Sequence, residues 1–256
     1  MNINRSRFSL ILLILLFSPV LRATDVPVIA AASSVKFALQ DITKAFHQDT
    51  GKNVRISYSS SGNLTRQIQQ GSPFELFLSA NSIYIARLYQ QQKTLDQGTV
   101  YALGRMAILT TKNSPILLDK DLHKTKQALQ KGQIQYFAIA NPEHSPYGVA
   151  AREILQKLNL WELVQSHLVL GENAAQATQF ASSGAAQIGL VSYSLALAPI
   201  LQNRTRYLLL PANLHQPLQQ TMVLLNNTGN TAKLFFKYLQ QDKAQTILSR
   251  YGYTTP

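Results

Sequence analysis

Val26-Pro27-Val28-Ile29-Ala30-Ala31-Ala32-Ser33-Ser34, followed by Val35, Ala38, Leu39, Ile42, Ala45 and Phe46, is the stretch that decides the fold. The first part is a short continuous apolar run, the pattern of a strand buried on both faces. The second part places apolar side chains at helical spacing, and Gly51 closes it as a C-terminal glycine does. The serine pair marks the junction, so the reading is strand, serine turn, helix.

The same unit recurs along the chain. Val54–Tyr58 predicts a strand that runs through Ser59-Ser60-Ser61-Gly62-Asn63 into a helix from about Leu64 to Gln70. Phe74–Ser79 predicts a third strand, with Ala80-Asn81 and a helix through Ile85 and Leu88 behind it. Further on, Tyr136–Ala140 leads through Asn141–Pro146 to a helix over Tyr147–Leu158. Leu168–Leu170 leads to Asn173-Ala174 and a helix to about Ala181, and Gln187–Val191 runs into Ser192-Tyr193. Repeated strand–turn–helix units predict an α/β fold of mostly parallel sheets covered by helices. Two groups of units predict two lobes with a cleft between them. The chain is expected to cross near Leu103–Arg105 and to return near Pro199–Arg206. That gives lobe I as 24–103 plus about 205–256, and lobe II as about 104–204.

The N-terminal segment reads as an export signal over residues 1–23. Arg5 and Arg7 precede an apolar run from Phe8 to Phe17, Ser18-Pro19 breaks it, and Ala23 offers a small residue for cleavage. The run is shorter than the roughly 20 apolar residues a spanning helix needs. The chain has no Cys, which excludes disulfides, thiolate chemistry and a cysteine-linked lipid anchor. The expectation is therefore a monomer free in the periplasm. The formal charge is +12, from 24 Lys and Arg against 12 Asp and Glu. Without Arg5, Arg7 and Arg22, 21 basic residues face the same 12 acidic ones, a net +9. Such a balance raises the encounter rate with anions. The cations are scattered singly with no interleaved aromatic cluster, so no nucleic-acid partner is expected.

The junctions carry the chemistry. Ser33-Ser34, Ser61-Gly62-Asn63, Ala80-Asn81, Tyr147-Gly148 and Asn173-Ala174 each lie just past the carboxyl end of a strand, where open α/β sheets bind ligands. Each also starts a helix, whose first N–H groups are unpaired and whose dipole end is positive. A single Ser there is explained by N-capping alone. Five junctions at one edge point instead to a two-lobed binding protein with a preference for anions.

Ordered motifs add to this. Ala30-Ala31-Ala32-Ser33-Ser34 with Gln40-Asp41-Ile42 resembles the opening motif of periplasmic molybdate-binding proteins of ABC transporters. Ser59-Ser60-Ser61-Gly62-Asn63-Leu64-Thr65-Arg66-Gln67-Ile68, Phe74–Asn81, Asn141-Pro142-Glu143-His144-Ser145-Pro146-Tyr147-Gly148 and Arg250-Tyr251-Gly252-Tyr253 are similar to four further motifs, in order. The resemblance implies a type II solute-binding fold that closes on molybdate or tungstate and delivers it to an inner-membrane ABC permease, with no cofactor. It implies that molybdenum is held as the oxyanion by hydroxyls and backbone N–H groups, without direct coordination of the metal and without Lys or Arg. Ser34, with Ser33 beside it, and Ser61 take the roles of the family's serines. Tyr147 and Ala174 take those of backbone donors, and Ala80 lies at the rim. Some members place a Tyr directly after a Gly-Ile-Val strand. Here Gly189-Leu190-Val191 is followed by Ser192, so that contact falls to Tyr193, to Ser192 or to neither.

Enzymatic readings find little support. His47, His123, His144, His167 and His215 have no metal-type spacing, and His144 reads as a loop surface residue. There is no Gly-x-Ser-x-Gly elbow and no phosphate-binding Gly-x-x-x-x-Gly-Lys loop. No general base accompanies Ser34 or Ser61. Sulfate or another tetrahedral oxyanion, and a ligand-sensing module on the same fold, are the remaining alternatives.

Overall fold

The computed structural model describes residues 26–254, so the export signal expected over residues 1–23 lies outside the described residues. Among the described residues, ten strands form two five-stranded sheets. The first sheet has the order β2-β1-β3-β10-β4, with β1 Val28–Ala32, β2 Arg55–Ser59, β3 Phe74–Ser79, β4 Thr99–Gly104 and β10 Leu218–Leu224. The second has the order β7-β6-β8-β5-β9, with β5 Met106–Thr111, β6 Phe137–Ala140, β7 Leu168–Gly171, β8 Ile188–Ser192 and β9 Thr205–Leu209. Helices α1 Lys36–Thr50, α2 Ser61–Gln69, α3 Ser82–Gln90, α9 Asn230–Tyr238 and α10 Asp242–Arg250 belong with the first sheet. Helices α4 His123–Gln130, α5 Pro146–Lys157, α6 Trp161–Gln165, α7 Ala174–Ser183 and α8 Tyr193–Ala196 belong with the second. Among the described residues, no helix is long and apolar enough to cross a membrane.

The two sheets share one plan. In each, three strands pair in parallel, β2-β1-β3 and β7-β6-β8. The fourth strand is reversed, β10 against β3 and β5 against β8. Each sheet is thus mixed with four strands running one way and one reversed, which is the mostly parallel arrangement expected. The reversed strand is in each case the one that enters directly from the other sheet. Gly104 ends β4 in the first sheet and Met106 opens β5 in the second. β9 pairs with β5, so Thr205–Leu209, assigned from sequence to lobe I, lies in the second sheet. The chain comes back between Leu210 and Pro217; β9 is an edge strand, and its apolar run alone does not tell which sheet it joins.

The opening stretch packs as its pattern requires. Ile29, Ala30 and Ala31 are fully buried at the centre of the first sheet. Alternate side chains face opposite sides, so Ile29 and Ala31 join one apolar cluster and Ala30 another. The small alanines let helices approach both faces closely. Ala38, Leu39, Ile42 and Phe46 form the buried stripe of α1, which ends at Gly51 in the left-handed conformation. Phe46 meets Phe235 and Tyr238 edge-on, with centroids 5.0 and 5.3 Å away, and so ties α1 to α9. Truncating a fully buried side chain such as Leu39 to Ala costs roughly 2–5 kcal/mol.

Candidate functional site

The helices that follow β1, β2, β3, β6 and β7 all begin at the interface of the two lobes. Ala32, Ala80, Tyr147 and Ala174, from four of these junctions, share one buried cluster. Contacts between lobes hold the arrangement closed. The Ala175 N–H donates to Ser33 Oγ at 3.2 Å, and the Gly62 N–H donates to the His144 carbonyl at 2.9 Å. Ser194 Oγ donates to the Ser34 carbonyl at 2.5 Å.

Local sequence explains the position of each junction. Ser33–Val35 forms one turn of 3-10 helix leading directly into α1. Ser60 caps α2, its Oγ accepting from the Asn63 N–H at 3.3 Å, which leaves Ser61 facing inward and fully buried. Asn173 caps α7 through the N–H groups of Ala175 and Gln176, so Ala174 takes the first helical position. Pro146 starts α5, as suits a residue without an N–H there. Gly148 brings that helix against the end of β6. A Cβ at Gly148 would fall 2.2 Å from the Ala140 carbonyl oxygen and 2.7 Å from the backbone of Asn141 and Pro142.

The donor balance gives the site its character. Ser33, Ser34 and Ser61 are 3%, 2% and 0% exposed. Ser33 Oγ accepts from Ala175, and Ser61 Oγ accepts from the Ala80 N–H at 3.0 Å. Among the described residues neither hydroxyl proton has an acceptor, and Ser34 Oγ has no partner of any kind. The hydroxyls of Tyr147 and Tyr253 face Ser34 without completing a hydrogen bond to it. The Tyr147 and Tyr101 hydroxyls are buried and unpartnered as well. Burial raises the pKa of all three phenols above the ordinary value, so they stay neutral and keep their protons. Buried polar groups are normally paired, and leaving one unpaired costs about 1–3 kcal/mol. A set of buried hydroxyl protons without acceptors, beside several helix N-termini, is chemically matched to a small anion rich in oxygen. The groups that converge there are neutral. Lys36 stands outside, on the wall of a cleft of about 420 Å³ that reaches in to Ser33 between Phe37, Tyr58, Asn173 and Gln176.

Most residues singled out from sequence lie at this junction: Ser33, Ser34, Ser61, Ala80, Tyr147 and Ala174 come from five separated segments. Tyr193 does not join them. Its ring packs edge-on against Tyr207 with centroids 5.9 Å apart, and over Gly252, where a Cβ would come within 2.5 Å of it. Ser192 ends β8 with its side chain buried, so the next residue faces the other way. The inward position is occupied by Ser192, whose Oγ lies 3.0 Å from Ser194 Oγ. Sequence reasoning also missed Tyr253 and Tyr101. Tyr253 arrives because Leu103 and Thr254 exchange backbone hydrogen bonds of 2.8 and 3.1 Å, which sets the C-terminal segment beside the first crossing. Its hydroxyl lies 3.2 Å from Ser194 Oγ. The recurrence of a tyrosine in the closing Arg250-Tyr251-Gly252-Tyr253 motif was the one available signal. His144 is also reassigned: its side chain is only 11% exposed and faces the other lobe.

Comparison with known proteins identifies the fold and the family. Residues 27–254 match the family model described as bacterial extracellular solute-binding protein. The molybdate-binding protein ModA of Rhodobacter capsulatus is 32% identical over 88% of this chain and 87% of its own length. The periplasmic molybdate-binding protein of Azotobacter vinelandii superposes with a TM-score of 0.81, at 27% identity, over 90% of this chain and 99% of that one. The sulfate-binding protein SubI of Mycobacterium tuberculosis H37Rv superposes with a TM-score of 0.70 at 16% identity, over 90% of this chain and 86% of that one. That last likeness shows a shared fold. The family is one of binding proteins rather than enzymes, and the two mixed sheets flanked by helices are those of its two-lobed type II fold. This chain belongs to the bacterial extracellular solute-binding protein family.

Proposed function

We propose that this chain is a periplasmic solute-binding protein that closes on molybdate, and equally on tungstate, and presents the loaded form to an ABC permease. The observation that carries the reading is the set of buried serine protons without acceptors at Ser33, Ser34 and Ser61. An oxyanion between the lobes supplies the missing acceptors. Ser34 and Ser61 would donate hydroxyl bonds, with Ser33 beside them, and the first N–H groups of α5 and α7, at Tyr147 and Ala174, would complete the cage with the rim at Ala80. Helix N-termini make such sites without a formal positive charge. The relatives' names and the ordered motifs support molybdate over other anions. The signal expected at residues 1–23 supports export.

Ligand choice follows from the donors. Molybdate, tungstate and sulfate carry no proton at neutral pH and offer acceptors in every direction. Hydrogen phosphate brings a proton that needs an acceptor, and an unpaired one costs roughly 1–3 kcal/mol in a dry cage. Sulfate is smaller, and its oxygens fall short of donors fixed on rigid helices, since hydrogen bonds weaken beyond about 3.2 Å. Isothermal titration with the four anions tests this. Tight and equal binding of molybdate and tungstate, weak sulfate and no measurable phosphate is expected. Sulfate binding as tight as molybdate would reduce the assignment to a general oxyanion-binding protein.

A further inference from the structure

We propose that His144 is the positioning residue that latches the two lobes over the bound anion and so sets the rate of its release. His144 lies in the loop between β6 and α5, on the second lobe. Two of its groups reach one turn of the first lobe, Ser60–Asn63, the turn that carries Ser61. Its carbonyl accepts the Gly62 N–H at 2.9 Å. Its ring Nδ1 lies 2.9 Å from Ser60 Oγ. Because Ser60 Oγ already accepts from the Asn63 N–H, its own proton is free to donate to Nδ1. With Nδ1 as the acceptor, Nε2 is the ring's donor atom and faces Glu172 Oε2 at 3.6 Å, beyond hydrogen-bond distance. The same carboxylate oxygen accepts from Asn63 Nδ2 across the cleft at 3.4 Å. Imidazole, carboxylate and the two first-lobe side chains thus close a ring of contacts that bridges the lobes at two points.

The approach is built into the backbone. A Cβ at Gly62 would lie 2.8 Å from both the Cβ and the carbonyl oxygen of His144, so the turn must lack a side chain to seat the loop. None of these contacts needs to touch the anion. They bridge the lobes and are lost when the lobes part, so they stabilise the closed state selectively, which is the condition for slowing release. Affinity changes of this kind act mainly on the dissociation rate.

The latch rests on the anion-binding reading above, and the test separates the two. Molybdate dissociation is measured by rapid mixing with a competing excess of tungstate for the wild type, His144→Ala and His144→Asn. Exchange of the Gly62 amide hydrogen is followed in the same proteins with and without molybdate. His144→Ala should release molybdate about 3- to 10-fold faster with little change in association rate. His144→Asn, whose side-chain amide can take the place of Nδ1, should recover most of the loss. A double-mutant cycle with Ser60→Ala should show coupling in the dissociation rate and none in the thermal stability of the anion-free protein, a pattern a merely structural role would not give. If the wild type binds no molybdate but Gly62 protection still falls in His144→Ala, the latch stands and the ligand assignment falls. Equal dissociation rates and equal Gly62 protection in the wild type and His144→Ala overturn the latch.

Discussion

Replacing Ser34 by Ala separates a ligand-binding hydroxyl from a structural one. In the closed fold Ser34 Oγ is buried and makes no hydrogen bond, and in an open one it would meet water, so in neither does its removal delete a contact that holds the fold. A buried unsatisfied hydroxyl is a cost, and its deletion should leave stability within about 1 kcal/mol of the wild type. Binding is different. A hydroxyl donating to a buried anion makes a charge-assisted bond worth about 1.5–3 kcal/mol, so the dissociation constant for molybdate should rise roughly 10- to 150-fold. Ser61→Ala is the internal contrast. Its Oγ also accepts the Ala80 N–H, so that variant should lose affinity to a similar degree and in addition about 1–3 kcal/mol of stability. Isothermal titration gives the first quantity and scanning calorimetry of the anion-free proteins the second. Ser34→Ala binding molybdate as the wild type does would place the anion elsewhere. A melting temperature lowered by several degrees without a binding defect would show that Ser34 serves the fold instead.

Three further outcomes are expected. Tyr193→Phe should leave molybdate affinity within about twofold, since the ring packs on Tyr207 and Gly252; a loss of tenfold or more by titration would mean the hydroxyl reaches the anion. Gly148→Ala places a Cβ against backbone that has no room to yield, so it should cost about 1–3 kcal/mol by denaturant unfolding and weaken binding by shifting the start of α5. His215 is buried, and desolvation lowers its pKa from 6.5, with Arg105 adding to the shift against Gln216 and Glu153. The unfolded chain therefore takes up a proton that the folded one resists, so the contribution of His215 is complete above about pH 6.5 and is lost as the pH falls below it. Melting temperatures at about pH 5.5 and about pH 7.5 should differ less in His215→Asn than in the wild type, and an equal difference would remove His215 from the acid response.

The parts of the molecule visible in the sequence are those that depend on neighbours in the chain. Ala30-Ala31-Ala32-Ser33-Ser34 specifies a buried strand and a helix start within one short stretch, so Ser33 and Ser34 could be placed at a strand's carboxyl end. Ser61 and Ala174 were equally visible, because the capping residues Ser60 and Asn173 stand immediately before them. What was hidden depends on distant pairing. β4 went unnoticed because Thr99–Gly104 mixes exposed and buried residues after a turn. The direction of β10 follows from its entry out of the other sheet, which no local pattern encodes. Tyr253 and Tyr147 meet at Ser34 from positions far apart in the chain. His144 looks like a solvent-facing loop residue until the first lobe closes over it.

The neutrality of the site and the two-lobed build serve the same end. A Lys or Arg on one lobe would attract anions across several ångströms whether or not the lobes had closed, because charge interacts at long range. The influence of a helix N-terminus fades within its first turn, and a hydroxyl proton acts only within hydrogen-bond distance. Donors of this kind, divided in the proposed site between Ser34 and Ser61 on one lobe and α5 and α7 on the other, would hold an anion well only when all are in reach. The hinge suits that requirement. Arg105 Nη2, in the first crossing, donates to the Leu210 carbonyl at the start of the second at 2.9 Å, and the Leu210 N–H donates to the Met106 carbonyl at 3.0 Å. The two crossings are therefore tied into one narrow ribbon, as a hinge between the lobes would require. Because a ligand shifts a conformational equilibrium only by its difference in affinity for the two states, short-range neutral donors make nearly all of the binding energy available to closure. The same property permits release, since opening by a few ångströms abolishes the donors' hold where a fixed charge would retain it.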